Sequence, residues 1–422
     1  MPGSEWEAYT KALKGEFVKL AKLEFLQPDH TVAFALDNNY KNRRSKAFIQ
    51  DGGSLTVNLQ NGKRRTATVH LANTDGEYEY NVNKLWFGQQ IRLTEGILLP
   101  NGKEYYIPQG VFYAVNPEEV LSPSGREVTL NLDDKWSYLD GTLFGRLEGI
   151  YEISLNTNIF TAIQSILSFP RGNGYAVDDV IPIFTDYYNN RTTTLPDGST
   201  ISDLLMPYTY RCENDSGTYA DVVLELNNII AGWIGYDATG RLRIDPSQDD
   251  ITDINKPILW QFTPSEKQFL GSTYTIKNKD VYNDIIITGE SLNEYGNVAG
   301  RACNYDIRSD TNINIIGQRT YRETNAGYAS RRQCEDLAVF KLKRQTILQK
   351  SVSIESTQMF HIEENKLVTI RRLDKPGFPL ERHLVTGFSR PIGQTGKMTI
   401  QAVSVQDFPN ATIMPLPGEQ EE

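Results

Sequence analysis

A repeat of apolar residues at every second position constrains this chain most strongly. It runs from Phe17 to Tyr138, and two of its faces are Leu55, Val57, Leu59 and Ala67, Val69, Leu71. The dipeptide Asn61-Gly62 separates those two faces. Because strand side chains alternate between the two faces of a sheet, and Asn-Gly favours the tight turn of a hairpin, the pattern predicts antiparallel strands. Residues 16–138 are therefore expected to form a tube-like β domain.

The middle of the chain changes to helical spacing. Apolar residues from Ile159 to Leu167 recur at intervals of three and four behind Asn156 and Asn158, either of which could cap a helix. A second helix is predicted from about Thr218 to Gly232, followed by a hairpin. Residues 139–260 are therefore expected to form a small α+β domain.

Strands return after residue 260, beginning with the apolar run at Ile285–Ile287. Residues 261–408 are expected to form a second tube-like β domain, interrupted near 300–350 by an insertion whose helix follows Ser330. Residues 409–422 are expected to be a flexible tail. Residues 1–15 are expected to form an N-terminal helical arm with a capping box at Ser4 and Glu7. The arm could dock on a neighbouring subunit or on its own domain. The predicted class is α+β, mainly β, with two antiparallel β-barrel domains flanking the α+β domain.

Composition excludes several classes of protein. The formal net charge is −10, which argues against a generic nucleic-acid binder. No uninterrupted apolar stretch approaches the roughly 18 residues of a membrane span, and no signal peptide is visible. The chain is therefore expected to be soluble, to be made in the cytoplasm and to have no stable membrane association. The three cysteines, Cys212, Cys303 and Cys334, are expected to be free thiols.

No catalytic motif is specific in this sequence. It contains no Gly-x-Ser-x-Gly elbow, phosphate-binding loop or dinucleotide fingerprint. None of the four histidines has another at helical metal-ligand spacing: His30, His70, His361 and His383. The carboxylate pairs Asp133-Asp134 and Glu363-Glu364 are interpreted as solvated charges. We therefore expect no catalytic, cofactor-binding or metal-binding residues and no cofactor, and we do not expect an enzyme.

Two basic clusters and two tyrosine clusters each leave two interpretations open. The basic clusters are Lys63-Arg64-Arg65 and Lys41, Arg43, Arg44. Each could be a charged loop tip or a contact for an acidic partner. The tyrosine clusters are Tyr187-Tyr188 and Tyr208-Thr209-Tyr210. They could stack on sugars, although use in a core or an interface is favoured.

Several ordered patterns resemble the baseplate hub family of tailed phages over approximately residues 17–408. The family includes hubs of contractile-tailed phages, the N-terminal part of tail-associated lysins and hubs of type VI secretion spikes. The patterns are Gly110-Val111-Phe112-Tyr113, the stretch from Val128 to Asp134, Ile159 to Leu167, Asp221 to Ile230, Gly232-Trp233, Gly240-Arg241-Leu242, the stretch from Asn283 to Gly289, Ile315-Ile316-Gly317 and the helix from about Arg331.

The resemblance implies a structural protein of the virion, assembled in the host cytoplasm. Three subunits with two tube-like domains each would form a pseudo-sixfold homotrimer. The implied partners are a tail tube or distal tail protein, a tape measure protein, and a spike, plug or fibre protein. DNA would pass through the lumen only in transit, so we expect the inward faces to carry more Asp and Glu than Lys and Arg.

Two alternatives belong to other functional classes. They are a tail-borne cell-wall hydrolase and a host-surface carbohydrate-binding protein. Many relatives continue into a lysin, peptidase or fibre domain, whereas this sequence ends at residue 422, so peptidoglycan cleavage is not expected.

Overall fold

The protein is described by a computed structural model. It covers residues 4–38, 47–74, 76, 78, 85, 88–123, 125–170, 175–184, 192–194, 200–202, 204–206, 208–212, 217–246, 256–276, 279, 281–289, 298–325, 331–347, 350–393, 396–405 and 410–416. The expected α+β, mainly β class is confirmed, because strands greatly outnumber helices over these residues. None of the described helices is both long and apolar enough to span a membrane.

Where the structure describes it, the first part of the chain contains one α-helix and nine strands, followed by a 3-10 helix at Lys135–Tyr138. They are α1 (Ser4–Ala12), β1 (Val18–Leu26), β2 (Val32–Asp37), β3 (Ala47–Ile49), β4 (Gly53–Asn58), β5 (Arg65–Asn73), β6 (Gln90–Leu98), β7 (Glu104–Ala114), β8 (Glu118–Ser122) and β9 (Gly125–Asp134). The predicted hairpin at Asn61-Gly62 is confirmed, since it joins β4 to β5 in antiparallel register.

Among its described residues, the middle part contains two α-helices and short strands. They are β10 (Tyr151–Ile153), α2 (Ile159–Leu167), β11 (Ile183–Phe184), β12 (Thr192–Thr194), β13 (Thr200–Ser202), β14 (Tyr210–Cys212), α3 (Tyr219–Ile229), β15 (Gly232–Tyr236) and β16 (Leu242–Pro246). Both predicted helices are confirmed. Asn158, rather than Asn156, caps α2, and Thr218 forms a capping box with Asp221 at the start of α3.

The last part returns to strands. They are β17 (Ile258–Phe262), β18 (Phe269–Ile276), β19 (Asp284–Gly289), β20 (Val298–Asn304), β21 (Thr320–Asn325), β22 (Lys350–Ser356), β23 (Leu367–Arg371), β24 (Leu380–Ile392), β25 (Met398–Ser404) and β26 (Ala411–Ile413). Two helices, α4 (Ile313–Ile316) and α5 (Arg331–Ile347), lie between β18 and β22. A separate four-stranded sheet, β21-β19-β20-β26, packs against α5.

One 15-stranded sheet contains the strands of both predicted β domains. Its path runs β18-β22-β25-β24-β4-β5-β9-β7-β6-β1-β2. The two parts join directly, because β24 pairs with β4 from Gly387↔Asn58 to Ile392↔Gly53. No closed barrel is found among the described strands; the strands of the two parts instead pair with each other in this one sheet. The predicted domain boundaries remain a prediction.

A single hydrophobic core runs behind this sheet. It contains Leu55 of β4, Val69 of β5 and Leu130 of β9, together with Ile354 of β22 and Ile400 of β25. Core residues of β1 and β6 belong to the same cluster, so the sheet folds back over its own core. The apolar face of each strand is thus fixed, and its alternate residues must point to the opposite side.

The N-terminal helix α1 packs on its own chain. Tyr9 is fully buried, and its hydroxyl lies 3.0 Å from Nδ1 of His361. The same hydroxyl accepts a 3.1 Å hydrogen bond from the backbone N–H of Phe360. Burial raises the pKa of Tyr9 far above its usual range. Helix α1 is therefore docked on its own chain, against residues of both the first and the last part.

Candidate functional surface on the eight-stranded run

Eight consecutive antiparallel strands expose one face that is almost entirely small and polar. The strands are β18-β22-β25-β24-β4-β5-β9-β8, where β8 pairs with β9 beside the main path. The polar residues that alternate with the core residues are Thr273, Thr275, Ser351, Ser353, Glu355, Thr399, Gln401, Ser389, Ser54, Thr56, Asn58, Thr66, Thr68, His70, Glu127, Thr129, Asn131, Asp133 and Glu118. We call this the polar face.

Strand register aligns these residues across the whole run. Thr273 lies opposite Ser353, which in turn lies opposite Gln401. On the other side of the seam, Thr56 lies opposite both Ser389 and Thr66. Threonine is β-branched and suits an exposed strand position, so the composition favours the strands as well as a hydroxyl-rich surface.

Charge on the polar face is acidic, and two of its four carboxylates are paired with lysines from its margins. The polar residues named above include Glu118, Glu127, Asp133 and Glu355 and no Lys or Arg; Arg382 lies on the same side of β24, beyond its irregularity at Val385/Gly387. Lys63, in the β4–β5 turn, binds Asp133 at 2.6 Å, and Lys397, just before β25, binds Glu355 at 2.8 Å. Both lysines therefore reach the face from outside its strands.

His70 is the histidine that lies on the polar face. Its Nδ1 atom is 2.7 Å from Glu127 and 3.1 Å from the hydroxyl of Thr129 on neighbouring β9. The contacts of His70 tie side chains of adjacent strands together, and the face keeps more carboxylates than lysine partners.

The pKa of Lys63 responds to two opposing influences. Burial lowers it, but the ion pair with Asp133 dominates and raises it.

A buried network of charges lies behind the seam between β24 and β4. Arg390 of β24 donates from Nε and Nη2 to Glu95 of β6, at 3.0 and 2.8 Å, and from Nη2 to Oε1 of Gln109 at 2.5 Å. Arg65 of β5 donates to the Gln109 carbonyl at 3.0 Å and to Glu364 at 2.6 Å. Gln109 therefore connects the two arginines across the seam.

This seam network is sealed from solvent. Arg65 and Arg390 are each 2% exposed and Glu95 is fully buried. Lys19 also reaches Glu95 at 3.4 Å and the Pro391 carbonyl at 2.6 Å. Burial lowers the pKa of Lys19 to about 8. Groups this deeply enclosed cannot contact a substrate, so the network organises the sheet.

Two interpretations of the sequence are wrong for residues in and around the seam network. Asp134 and Glu364, expected to be solvated, are 1% and 6% exposed. Arg64 and Arg65, expected in a charged loop tip or a partner contact, are also buried. Asp134 accepts hydrogen bonds from the backbone N–H groups of Arg64, Arg65 and Trp136, at 2.8, 2.9 and 3.1 Å. Burial is the larger influence and raises the pKa of Asp134 to about 6. The β4–β5 turn is enclosed because β15 packs on it: Gly62 donates to the Ile234 carbonyl at 3.0 Å.

The remaining histidines lie apart from one another. His30 contacts Gln90 and Asp179 at 3.1 and 2.7 Å. Burial lowers the pKa of His361 to about 3 and that of His383 to about 4, so both rings are neutral near pH 7. Across the described residues, no group of three or more His, Cys, Asp or Glu side chains could hold a metal ion.

Cysteines and tyrosines occupy buried or half-buried positions. All three cysteines are free and buried, as expected. Tyr208 and Tyr210 pack against the core of the middle part, which confirms the favoured interpretation for that cluster. Tyr187-Tyr188 and Lys41, Arg43, Arg44 lie outside the described residues.

Sequence reasoning missed both the polar face and the seam network. A signal for the face was present, because Ser and Thr alternate with apolar residues in β4, β5, β22 and β25. The seam network had no local signal, since Arg65 and Glu364 are 299 residues apart in the chain.

Comparisons with known proteins identify the fold. No protein-family model matches this chain, and no curated protein matches its sequence. The 43 kDa tail protein of prophage MuSo2 from Shewanella oneidensis aligns at 11% identity and a TM-score of 0.55, covering 91% of this chain and 98% of that one. A tail protein from Neisseria meningitidis MC58 aligns at 7% identity and 0.56, covering 91% and 96%. The prophage tail protein gp18 from Listeria monocytogenes EGD-e aligns at 9% identity and 0.53, covering 93% and 95%. The expected resemblance is confirmed at the level of fold: this chain has the fold of phage tail proteins.

Proposed function

We propose that this chain is a structural protein of a phage tail tip, and that three copies form a pseudo-sixfold ring around a passage for DNA. The observation that carries the proposal is the eight-stranded antiparallel run whose polar face, as defined above, contains carboxylates and hydroxyls but no Lys or Arg. The similarity in fold to tail proteins supports the same conclusion. The ring would belong to the virion and would be assembled in the host cytoplasm.

The chemistry of the polar face suits the lining of such a passage. Duplex DNA carries about one negative charge per 1.7 Å of its axis, and proteins hold it chiefly through Lys and Arg. A face of hydroxyls, amides and a few paired carboxylates offers no such contacts. DNA would therefore move past it without binding, which accords with the expected excess of Asp and Glu over Lys and Arg.

The two ends of the run differ, which supports a role as an adaptor. At one end, the β4–β5 turn contacts β15, and the connection from β18 to β22 carries α5 and three strands of the four-stranded sheet, whose fourth strand is β26. These additions are unlike each other, so that end of a trimer has only threefold symmetry. The opposite end carries the β8–β9 and β24–β25 turns. We assign the first end to a spike, plug or fibre protein and the second to the tail tube, a distal tail protein and the tape measure protein.

Catalysis is not part of the proposal. Asp133 and Glu355 are engaged in ion pairs, and Glu95 and Glu364 are sealed in the seam network. A zymogram on purified cell wall and a glycan array test the hydrolase and carbohydrate-binding alternatives, and activity in either would contradict a purely structural role.

The mass of the protein in solution tests the proposal. Light scattering should give three chains per particle, either for the protein alone or after mixing with its tail tube protein, and negative-stain images should show rings with a central hole. A protein that stays monomeric under both conditions would sink the proposal.

A further inference from the structure

The eight-stranded run is an internal repeat of two four-stranded sets. One set is β18-β22-β25-β24 and the other is β4-β5-β9-β8. In both sets, chain order follows the same path: an edge strand, its neighbour, the far strand, and last the strand between. The strands β18, β22, β25 and β24 thus correspond to β4, β5, β9 and β8.

Counting strands by their position in the sheet, the seam within the chain joins the fourth strand of one set to the first strand of the other. It is the pairing of β24 with β4. The fourth strand of the other set is β8, and the first strand of its partner set is β18. Neither has a partner on its outer side among the described strands. We propose that β8 of one copy pairs with β18 of the next copy in the register that β24 uses on β4. This inference rests on the proposed function, because it requires copies of the chain to meet in a ring.

Of the two edges, β18 has the character of a strand that is covered in an assembly. Exposed edge strands are usually protected by short length, charged side chains, Pro or inward-pointing charge. β18 has none of these, whereas β8 is short and carries Glu118 and Glu119. Neither β8 nor β18 contains Lys or Pro, and each exposes a large apolar side chain: Leu121 is 71% exposed and Ile276 is 74% exposed. β18 also has no charged residue, so Glu118 and Glu119 of β8 would meet no like charge in it.

The two sets can be aligned from the ends of their paired strands. Val57 is the last paired residue of β4 and lies opposite Arg65, the first residue of β5. Ile276 is the last paired residue of β18 and lies opposite Lys350, the first residue of β22. Val57 therefore corresponds to Ile276. One position earlier, on the polar face, Thr56 corresponds to Thr275.

The alignment extends to the strands at the other side of each set. Thr66 of β5 lies opposite Asp133, and Ser351 of β22 lies opposite Val403. The residue four positions before Asp133 in β9 is Thr129, and the residue four positions before Val403 in β25 is Thr399. Their partners are Glu118 in β8 and Ser389 in β24. Glu118 therefore corresponds to Ser389, and Val120 to Pro391.

The seam then specifies the register between copies. Within the chain, Ser389 lies opposite Thr56 and Pro391 opposite Ser54. Between copies, Glu118 would lie opposite Thr275, and Val120 opposite Thr273. All four of these positions are exposed on the polar face. The contact would continue that face from one copy to the next.

Cysteine cross-linking tests this register directly. Residues directly opposite each other in an antiparallel pair have Cβ atoms about 4.5–5.5 Å apart, whereas diagonal neighbours are roughly 7–8 Å apart. Only the former approach the spacing of a disulfide. We expect the variant Val120→Cys with Thr273→Cys, under mild oxidation, to lose its monomer band on non-reducing gels and to form a closed three-chain species. The shifted pair, Val120→Cys with Thr275→Cys, should cross-link far more slowly.

Matched controls separate the contact from general oxidation. The variant Thr56→Cys with Ser389→Cys places the same chemistry across the seam and should give a disulfide within one chain. The single variants and the unmodified protein, whose three cysteines are buried, should give no linked chains.

The failure of this inference can be distinguished from that of the proposed function. A trimer by light scattering in which the shifted pair links faster would overturn the register. A trimer in which neither pair links, or in which Thr273→Cys alone gives dimers, would overturn the use of these edges while leaving the ring intact. A protein that remains monomeric and unlinked, with and without tube protein, overturns both.

Discussion

Arg390 shows how one buried side chain can hold two parts of the chain together. It lies on β24 and its partners Glu95 and Gln109 lie on β6 and β7, nearly 300 positions away in sequence. A buried ion pair often contributes little beyond a well-packed apolar alternative, but removing one partner leaves the other charge uncompensated. Its contribution is therefore to the specificity of the seam, because the correct pairing of β24 with β4 places Arg390 against the buried Glu95, which Lys19 also contacts.

The first prediction concerns this ion pair. Arg390→Met should lower the free energy of unfolding by about 3–5 kcal/mol, because Glu95 then remains buried without its guanidinium partner. Urea unfolding measures the change. As a control, Lys397→Met removes an exposed pair with Glu355 and should cost no more than about 1 kcal/mol. Equal losses in the two variants would contradict this account of the seam.

The second prediction concerns Asp284 and pH. Burial alone would raise the pKa of this carboxyl, but hydrogen bonds from Arg301, Thr320, Cys303 and Gln318 outweigh it and hold the pKa at about 2, below the ordinary 3.8. Because the folded pKa is depressed, the stabilisation is fully present above about pH 4 and is lost as the pH falls toward 2. It amounts to about 2 kcal/mol.

Asp284→Asn should therefore be less stable than the unmodified protein at pH 6, with the difference shrinking between about pH 4 and 2. Denaturant unfolding at a series of pH values measures it. Asp374, a mostly exposed carboxyl paired with Arg372, supplies the control. Any effect of Asp374→Asn should vanish in high salt, whereas that of Asp284→Asn should persist. A gap that is constant with pH would refute the mechanism.

At the scale of elements, the seam between β24 and β4 depends on close approach of two backbones. A Cβ atom on Gly387 would lie 2.6 Å from the Val57 carbonyl oxygen, a contact that forces the strands apart. A Cβ atom on Gly271 of β18, also a strand glycine of the run, would meet nothing within 4 Å. The two glycines thus form a matched pair that differs in whether an atom of a neighbouring strand lies within contact of the added Cβ.

The third prediction uses this pair. Gly387→Ala should lower the free energy of unfolding by about 1–3 kcal/mol, as overpacking does, and should speed hydrogen exchange of the β4 amides. Gly271→Ala should leave both quantities nearly unchanged in the isolated chain. If the two substitutions had the same effect on β4 exchange, the seam would not be the contact that Gly387 protects.

Local patterns predicted elements well but could not predict which edges meet. The alternation of Leu55 and Val57 and the Asn61-Gly62 turn indicated the β4–β5 hairpin, and apolar spacing indicated α2 and α3. Strand edges, however, offer the same backbone groups whatever their sequence, so nothing in β4 or β24 identified the other as its partner. The basic turn at Arg64 and Arg65 was likewise interpreted as exposed, because its local sequence does not indicate what packs on it. Its enclosure by β15 depends on contacts with residues 234–236, far along the chain.

At the scale of the whole molecule, the polar face determines what can pass beside it. Each introduced lysine would add a contact to a DNA phosphate. For each such contact, the logarithm of the binding constant falls by about 0.9 per tenfold increase in salt concentration. Thr68 and Ser353 lie on the two sets of strands and are well placed for such a test.

The fourth prediction follows from that composition. Thr68→Lys with Ser353→Lys should let the assembled ring retain duplex DNA at low salt and should slow genome release from particles carrying it. Filter binding across a salt series and a DNA-release assay measure the two effects. Two lysines placed away from the face, at exposed Gln27 and Thr142, should change neither. Equal DNA retention in both variants would mean that the face does not line the passage.

The even number of strands in the run has a consequence for how such a molecule can change. Because its strands alternate in direction, the first and last of eight point opposite ways, and any rotational ring of identical copies keeps that alternation at every junction. A run of seven or nine would force one parallel contact per copy. A longer or shorter run that keeps the alternation must therefore gain or lose an even number of strands. The number of copies in the ring is then determined by the curvature of the sheet and by the domains at one end of the run.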